Sequence, residues 1–139
     1  MASFEFPVRV RYHEVDAQGV VFNAWYLAWF DEAMTEFLEH RGLTYRAMLD
    51  AGYDVQLVHT EIDWRAGIGW GEDVVVAVST ARIGTTSFDL DFAVRRGDDT
   101  ATCTARTTYV VIAVDGSGKR EIPRLIERAL GTPAPLRGT

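Results

Sequence analysis

The stretch His13-Glu14-Val15-Asp16-Ala17-Gln18-Gly19-Val20-Val21-Phe22-Asn23-Ala24-Trp25-Tyr26 places one carboxylate in a turn and starts a very apolar helical run a few residues later. A helix start leaves backbone N–H groups without intrahelical partners and carries a partial positive charge. An acid brought near that end by the Ala17-Gln18-Gly19 turn can work on a carbonyl whose oxygen those same N–H groups hold. Asp16 and the amides near Asn23 are therefore the candidate reacting groups. The plainer alternative is an Asp16 that only closes the turn. Asn23 also has two readings, as an N-cap whose side chain accepts from an N–H two or three residues on, or as a donor inside a pocket, and the residues alone leave both open.

Those groups need elements to hold them, and hydrophobic periodicity supplies candidates. Phe4, Phe6, Val8, Val10 and Tyr12 alternate with Glu5, Pro7, Arg9 and Arg11, the period of a half-buried strand, and Pro7, lacking an N–H, marks either a sheet edge or the strand's outer end. From Asn23 to about His40 the spacing turns helical, with Leu27, Phe30, Met34, Phe37 and Leu38 at steps of three and four and Glu32, Glu36 and Glu39 opposite. The first turns, Ala24-Trp25-Tyr26-Leu27-Ala28-Trp29-Phe30, are apolar nearly all round, which predicts a helix enclosed on several sides. Arg41-Gly42 stops it, and Leu43 to Ala51, with Thr44 as a cap, predicts a short second helix ending at Gly52. Strand patterns follow over Val55 to Trp64, Asp73 to Ile83, Phe88 to Val94 and Ala101 to Val114, with Arg96-Gly97-Asp98-Asp99 as a hairpin turn. Pro123 to Leu130 predicts a short helix, with Thr132-Pro133-Ala134-Pro135 frayed beyond it. Strand, long helix, short helix and four strands with short links make an α+β domain over residues 1–139, an antiparallel five-stranded sheet curled around one long central helix. A long strand at an open edge of such a sheet invites a second copy, so a homodimer is expected.

Composition narrows the class. A chain of 139 residues that is 47% hydrophobic can bury a real core. Its formal charge of −6 argues against a phosphate-tracking surface, so no nucleic-acid partner is expected. Cys103 is the single cysteine and sits in an alternating apolar run, which excludes an internal disulfide and reads as a small core or wall residue. His13, His40 and His59 are scattered, and neither a metal nor a cofactor is expected. Met1 to Pro7 shows no basic-then-apolar leader pattern and no run approaches a membrane span, so cytoplasmic residence is expected. Gly67-Ile68-Gly69-Trp70-Gly71 and Gly116-Ser117-Gly118-Lys119 lack the strand-to-helix setting of a phosphate loop, and no Gly-x-Ser-x-Gly elbow occurs.

The run Asp16-Ala17-Gln18-Gly19-Val20-Val21-Phe22-Asn23-Ala24-Trp25-Tyr26-Leu27, then Phe30-Asp31-Glu32-Ala33, resembles the signature of the hotdog-fold acyl-CoA thioesterases of the 4-hydroxybenzoyl-CoA thioesterase type. Weaker matches follow in order at Ile62-Asp63-Trp64, Gly71-Glu72, Ile83-Gly84-Thr85-Thr86-Ser87-Phe88, Thr107-Thr108-Tyr109-Val110 and Ile122-Pro123. The resemblance implies a hotdog fold, a homodimer or homotetramer, and an acyl thioester bound at the subunit interface. It implies that Asp16 attacks the thioester or activates water, that a backbone N–H near Asn23 polarises the carbonyl, and that Val21, Phe22, Tyr26, Trp64, Arg65 and Ser87 hold substrate.

Departures from the pattern fall where coenzyme A would sit. Relatives commonly carry a basic residue and then proline after the aromatic that Trp64 represents, whereas here Arg65-Ala66-Gly67 follows, and Thr85-Thr86 stands before Ser87 in place of Arg or Lys. Arg65, Arg82, Arg95, Arg96 and Arg106 remain as cations for the coenzyme's phosphates, each with an ordinary strand or turn role as the alternative. Asp31 and Asp63 are alternative acids with solvated or ion-paired roles as their plainer reading. Trp25, Tyr26 and Trp29 suit a bulky or aromatic acyl group, or equally helix core. The expected activity is hydrolysis of an acyl- or aroyl-CoA; the alternatives are a thioesterase acting on a carrier-protein-bound acyl group, and a non-catalytic module that binds acyl thioesters.

Overall fold

The computed structural model describes residues 4–137, so that of the opening residues read for a leader the first three lie outside it. The elements run β1 (Phe4–Arg9), a single 3-10 turn (Tyr12–Glu14), α1 (Ala24–His40), α2 (Tyr45–Asp50), β2 (Tyr53–Trp64), β3 (Asp73–Ile83), β4 (Ser87–Arg96), β5 (Ala101–Ala113) and α3 (Arg124–Leu130). The strands form one antiparallel sheet in the order β1-β3-β4-β5-β2. Alternation decides its two faces: Val74, Val76, Val78 and Thr80 of β3 line up with Val94, Phe92 and Leu90 of β4 and with Cys103, Ala105 and Tyr109 of β5, all buried. α1 lies on that face, and Phe30 stacks on Phe92 with ring centroids 4.6 Å apart.

Differences from the expected elements have local causes. β1 ends at Arg9, because the 3-10 turn bends the chain and leaves Tyr12 exposed, outside the inward alternation. Leu27, assigned to the core stripe of α1, is 41% exposed, and Ala24 is exposed too, so the apolar start of the helix is covered on one side only by this chain. Thr44 caps α2 as expected, its hydroxyl accepting from the Ala47 N–H at 3.1 Å, while Leu43 stays outside the helix. The segment after α3 is tied down, contrary to the frayed tail expected. Ala134 donates its N–H to the Thr80 carbonyl, Ser79 Oγ donates to the Ala134 carbonyl, and the N–H groups of Leu136 and Arg137 both reach Asp91 Oδ2 at 2.9 Å. Among the described residues β1 pairs with β3 as far as Val78, and beyond it the Thr80 carbonyl is taken by the tail.

Asp91 carries the tail and also takes a two-pronged pair from Arg106, at 2.7 and 3.0 Å, while being fully buried. Removing one partner of such a pair leaves a charge without compensation. Asp91→Ala is expected to lower the unfolding free energy by about 3 kcal/mol in denaturant titrations; a loss below about 0.5 kcal/mol, the size of an ordinary surface change, contradicts the anchoring role.

Candidate active site

Between the 3-10 turn and α1 the chain forms a miniature hairpin. Val15 bridges Val21, the Phe22 N–H donates to the Glu14 carbonyl at 2.8 Å, and the Asp16 N–H donates to the Val20 carbonyl at 3.0 Å. Asp16 and Gly19 are the first and last residues of its turn, closed by the Gly19 N–H on the Asp16 carbonyl at 3.0 Å, with Gly19 at φ +81 where an L side chain is strained. Asp16 Oδ1 accepts from the Gln18 N–H at 2.8 Å. The turn-closing role is thus real, and it occupies one oxygen; Oδ2 has no protein donor among the described residues.

The tip of α1 stands just beyond this hairpin. Asn23 already has helical dihedrals, φ −55 and ψ −32, and its side chain caps nothing, which overturns the N-cap reading because a capping residue needs extended backbone to bring its side chain round. The Val21 N–H goes to the Ile68 carbonyl at 2.8 Å, Phe22 to Glu14, Trp25 to Phe22 at 3.0 Å and Tyr26 to Asn23 at 3.3 Å. Among the described residues this leaves the N–H groups of Asn23 and Ala24 without an acceptor, on two exposed residues. A carboxylate with one open oxygen and two open amides therefore flank a single short connection.

The remaining walls come from β2 and the loop after it. A Cβ on Gly67 would stand 2.7 Å from Val20 Cγ1, so this loop approaches the hairpin at a distance that requires glycine, and Ile68 beside it is fully buried. Trp64, 48% exposed, sets its edge on Tyr26 at 6.0 Å, and Phe22 is 49% exposed. Burial pushes the Tyr26 phenol up to about 12, so it stays neutral and serves as a wall. The Cys103 thiol, opposite Trp64 in the sheet and buried in the core, is likewise pushed up to about 12 by burial, which fits the core or wall residue expected and makes it a poor nucleophile. Val21 is buried in the core, so it supports the hairpin and lines no open surface. His13 packs edge-on against Trp25 at 5.2 Å.

The candidate cations divide clearly. Arg82 pairs with Asp89 at 2.9 Å, Arg106 with Asp91, Arg95 with Glu5, and Arg96 lies 3.9 Å from Asp98; Arg65 alone of the five has no carboxylate partner among the described residues. Asp63 is paired with Arg137, and Asp31 is exposed. Ser87 accepts from Arg82 at 2.9 Å at the far end of β4. Ser87 is seven positions along β4 from Val94, which lies level with Cys103 and Trp64, or about 23 Å at ~3.3 Å per residue. Within one chain Ser87 does not join the Asp16 group. A cavity of about 630 Å³ lies elsewhere, between Phe37, His40, Leu130 and Pro133, and contains none of these residues.

Glu14 is the residue that the sequence reading passed over. It is fully buried, and its carboxylate accepts from the Arg11 N–H at 2.7 Å, Arg11 Nη2 at 2.8 Å and Trp29 Nε1 at 2.9 Å. The signal was present in Trp29, an indole in an apolar helix start whose N–H must find an acceptor.

The family model of the thioesterase-like superfamily matches residues 10–130. The 1,4-dihydroxy-2-naphthoyl-CoA hydrolase of Nostoc punctiforme is 26% identical, covering 94% of this chain and 88% of that one. The acyl-CoA thioesterase YbgC of Haemophilus influenzae is 47% identical over 47 residues, 34% of this chain and 35% of that one. Among solved structures, a hypothetical protein of Aquifex aeolicus superposes with a TM-score of 0.86 at 26% identity, covering 91% of this chain and 98% of that one. The chain belongs to the thioesterase-like superfamily and is a hotdog-fold thioester hydrolase, as its resemblance implied.

Burial pushes the Glu14 carboxyl up, yet the bonds from Arg11 and Trp29 more than offset this and hold it below the usual carboxylate range. A depressed folded-state value means the stabilisation is present above the unfolded-state value, near 4.5, and is lost as pH falls through the folded one. Wild type is therefore expected to lose stability relative to Glu14→Gln on acidification below that range, read by denaturant titration at several pH values; a constant difference down to acid unfolding contradicts it.

Proposed function

We propose that the chain hydrolyses an acyl- or aroyl-CoA thioester to the free acid and CoA. In this reading Asp16 supplies the nucleophile or activates the water, and the open amides of Asn23 and Ala24 receive the carbonyl oxygen as negative charge develops on it. If Asp16 attacks directly, its Oδ2 bonds to the thioester carbon, the C–S bond breaks, and the thiolate leaves and takes a proton. Water then cleaves the resulting anhydride and restores the carboxylate. If water attacks, Asp16 takes its proton instead. Either route ends in one acid and one thiol for one water consumed.

The observation that carries this reading is the pairing of an open carboxylate oxygen with two open amides across the Asp16–Ala24 connection. Trp64 and Phe22 offer aromatic surface to the acyl group, and the naphthoyl-CoA relative favours an aroyl substrate. Arg65, without a carboxylate partner among the described residues, is the cation assigned to a phosphate of the coenzyme.

A homodimer completes this reading. β2 is twelve residues long and bonded on one side only, and Leu57, Val58 and Trp64 on it are about half exposed. Pairing β2 against β2 of a second copy runs the strands antiparallel, which brings the end of the second sheet that carries its own Ser87 toward the Trp64 end of the first. It also covers the exposed start of α1. In this arrangement Ser87 serves the site of the other copy.

Free-thiol release measured over a panel of acyl-CoA and acyl-carrier-protein thioesters tests the activity. Asp16→Asn is expected to stay folded and lose about 10²–10⁴-fold in turnover; cleavage at the wild-type rate contradicts the role of Asp16, and release from carrier-protein thioesters alone contradicts the coenzyme. Sedimentation is expected to give a dimer at micromolar concentration, and a monomer there contradicts the β2 pairing.

A further inference from the structure

We propose that Glu14 is a positioning residue for the hydrolysis, its buried carboxylate locking the Asp16 hairpin to the tip of α1. The proposal rests on the role assigned to Asp16 above. Three bonds define the lock. Glu14 Oε1 accepts from the backbone of Arg11, at the entry to the 3-10 turn, and Oε2 accepts both from the Arg11 guanidinium and from the Trp29 indole on the second turn of α1. One carboxylate thus joins the end of the first strand, the base of the hairpin and the helix.

The backbone of the same residue acts at the other side of the site. The Glu14 carbonyl takes the Phe22 N–H, so the first amide left open is that of Asn23. Glu14 therefore sets two quantities together: where the hairpin holds Asp16, two residues along, and which amides of the helix tip face no protein acceptor. No group of Glu14 is available to substrate, since it is fully buried and each carboxylate oxygen already has a donor.

A buried carboxylate held by an exposed guanidinium is a poor device for stability alone, because desolvating the carboxylate opposes the attraction. Its gain is direction. Donors at fixed distances hold the hairpin in one orientation, and misplacement of reacting groups by about 1 Å costs on the order of 100-fold in rate. Apolar packing of the same volume would leave the hairpin free to slide on the helix.

The experiment uses two variants, since Glu14→Gln leaves a buried amide that disturbs folding by itself. Trp29→Phe keeps an aromatic ring and the Arg11 pair, removes the bond to the helix and leaves the space of the pyrrole ring, which is why its thermal unfolding is read beside its rate. Each is assayed for kcat and KM on the best thioester of the panel, beside circular dichroism and thermal unfolding, and Glu14→Gln is also combined with Asp16→Asn. The expected result is folded protein whose kcat falls about 10- to 100-fold with KM within about twofold. Glu14→Gln is expected to add nothing to the residual rate of Asp16→Asn, because the group it positions is already gone. Wild-type kcat per folded molecule in both variants overturns the proposal, as does a further full loss in the combined variant. Failure of the underlying reading is distinct: there Asp16→Asn itself turns over normally, whereas a dead Asp16→Asn beside normal Glu14→Gln and Trp29→Phe removes only the role of Glu14.

Discussion

The bond from the Phe22 N–H to the Glu14 carbonyl is the constraint on which the site depends. A chain leaving a strand and entering a helix has many ways to cross the gap, and most satisfy the first amides of the helix with side chains or waters. Here the connection folds back on itself as a hairpin whose Glu14 carbonyl takes the Phe22 amide, while the Ile68 carbonyl of the loop after β2 takes that of Val21. Among the described residues what remains is a turn whose carboxylate is half used and a helix tip with two amides unused. The loop at Gly67 presses on the hairpin from outside, and the indole of Trp29 fixes it from within.

The rest of the fold serves as a frame for that connection. The sheet gives α1 an apolar bed of Val76, Val78, Phe92 and Ala105, and the tail bound to Asp91 braces the opposite face. Each chain by itself leaves the start of α1 and the outer side of β2 bare. A thioester lying against Asp16 in one chain would be open to water on that side. Pairing along β2 is the physical route by which a second copy would provide the missing wall.

Much of the fold was legible because it rests on periodicity. The bounds of β3, the length of α1, the cap at Thr44 and the antiparallel order all follow from alternation, helical spacing and turn chemistry in short windows. Misplaced residues were those decided by distant partners. Leu27 has the spacing of the core stripe but is 41% exposed, and the tail has the composition of a frayed end but meets Thr80 of β3 and the buried Asp91. At the candidate site, the turn that holds Asp16 was legible. The helical dihedrals of Asn23 were not, since they follow from the hairpin that delivers the chain. Glu14 was hidden for a related reason: a charged residue beside a turn reads as solvated until Trp29, fifteen residues away, is seen to need it.

The central claim is that amides at the tip of α1 polarise a thioester carbonyl lying against Asp16. Vibrational difference spectroscopy on the Asp16→Asn protein, loaded with a thioester labelled with ¹³C at its carbonyl, reads that polarisation without requiring turnover. Two N–H groups donating to the oxygen predict a carbonyl stretch at lower frequency than for the same thioester in water. A bound thioester whose stretch lies at or above the aqueous value would contradict the assignment of those amides.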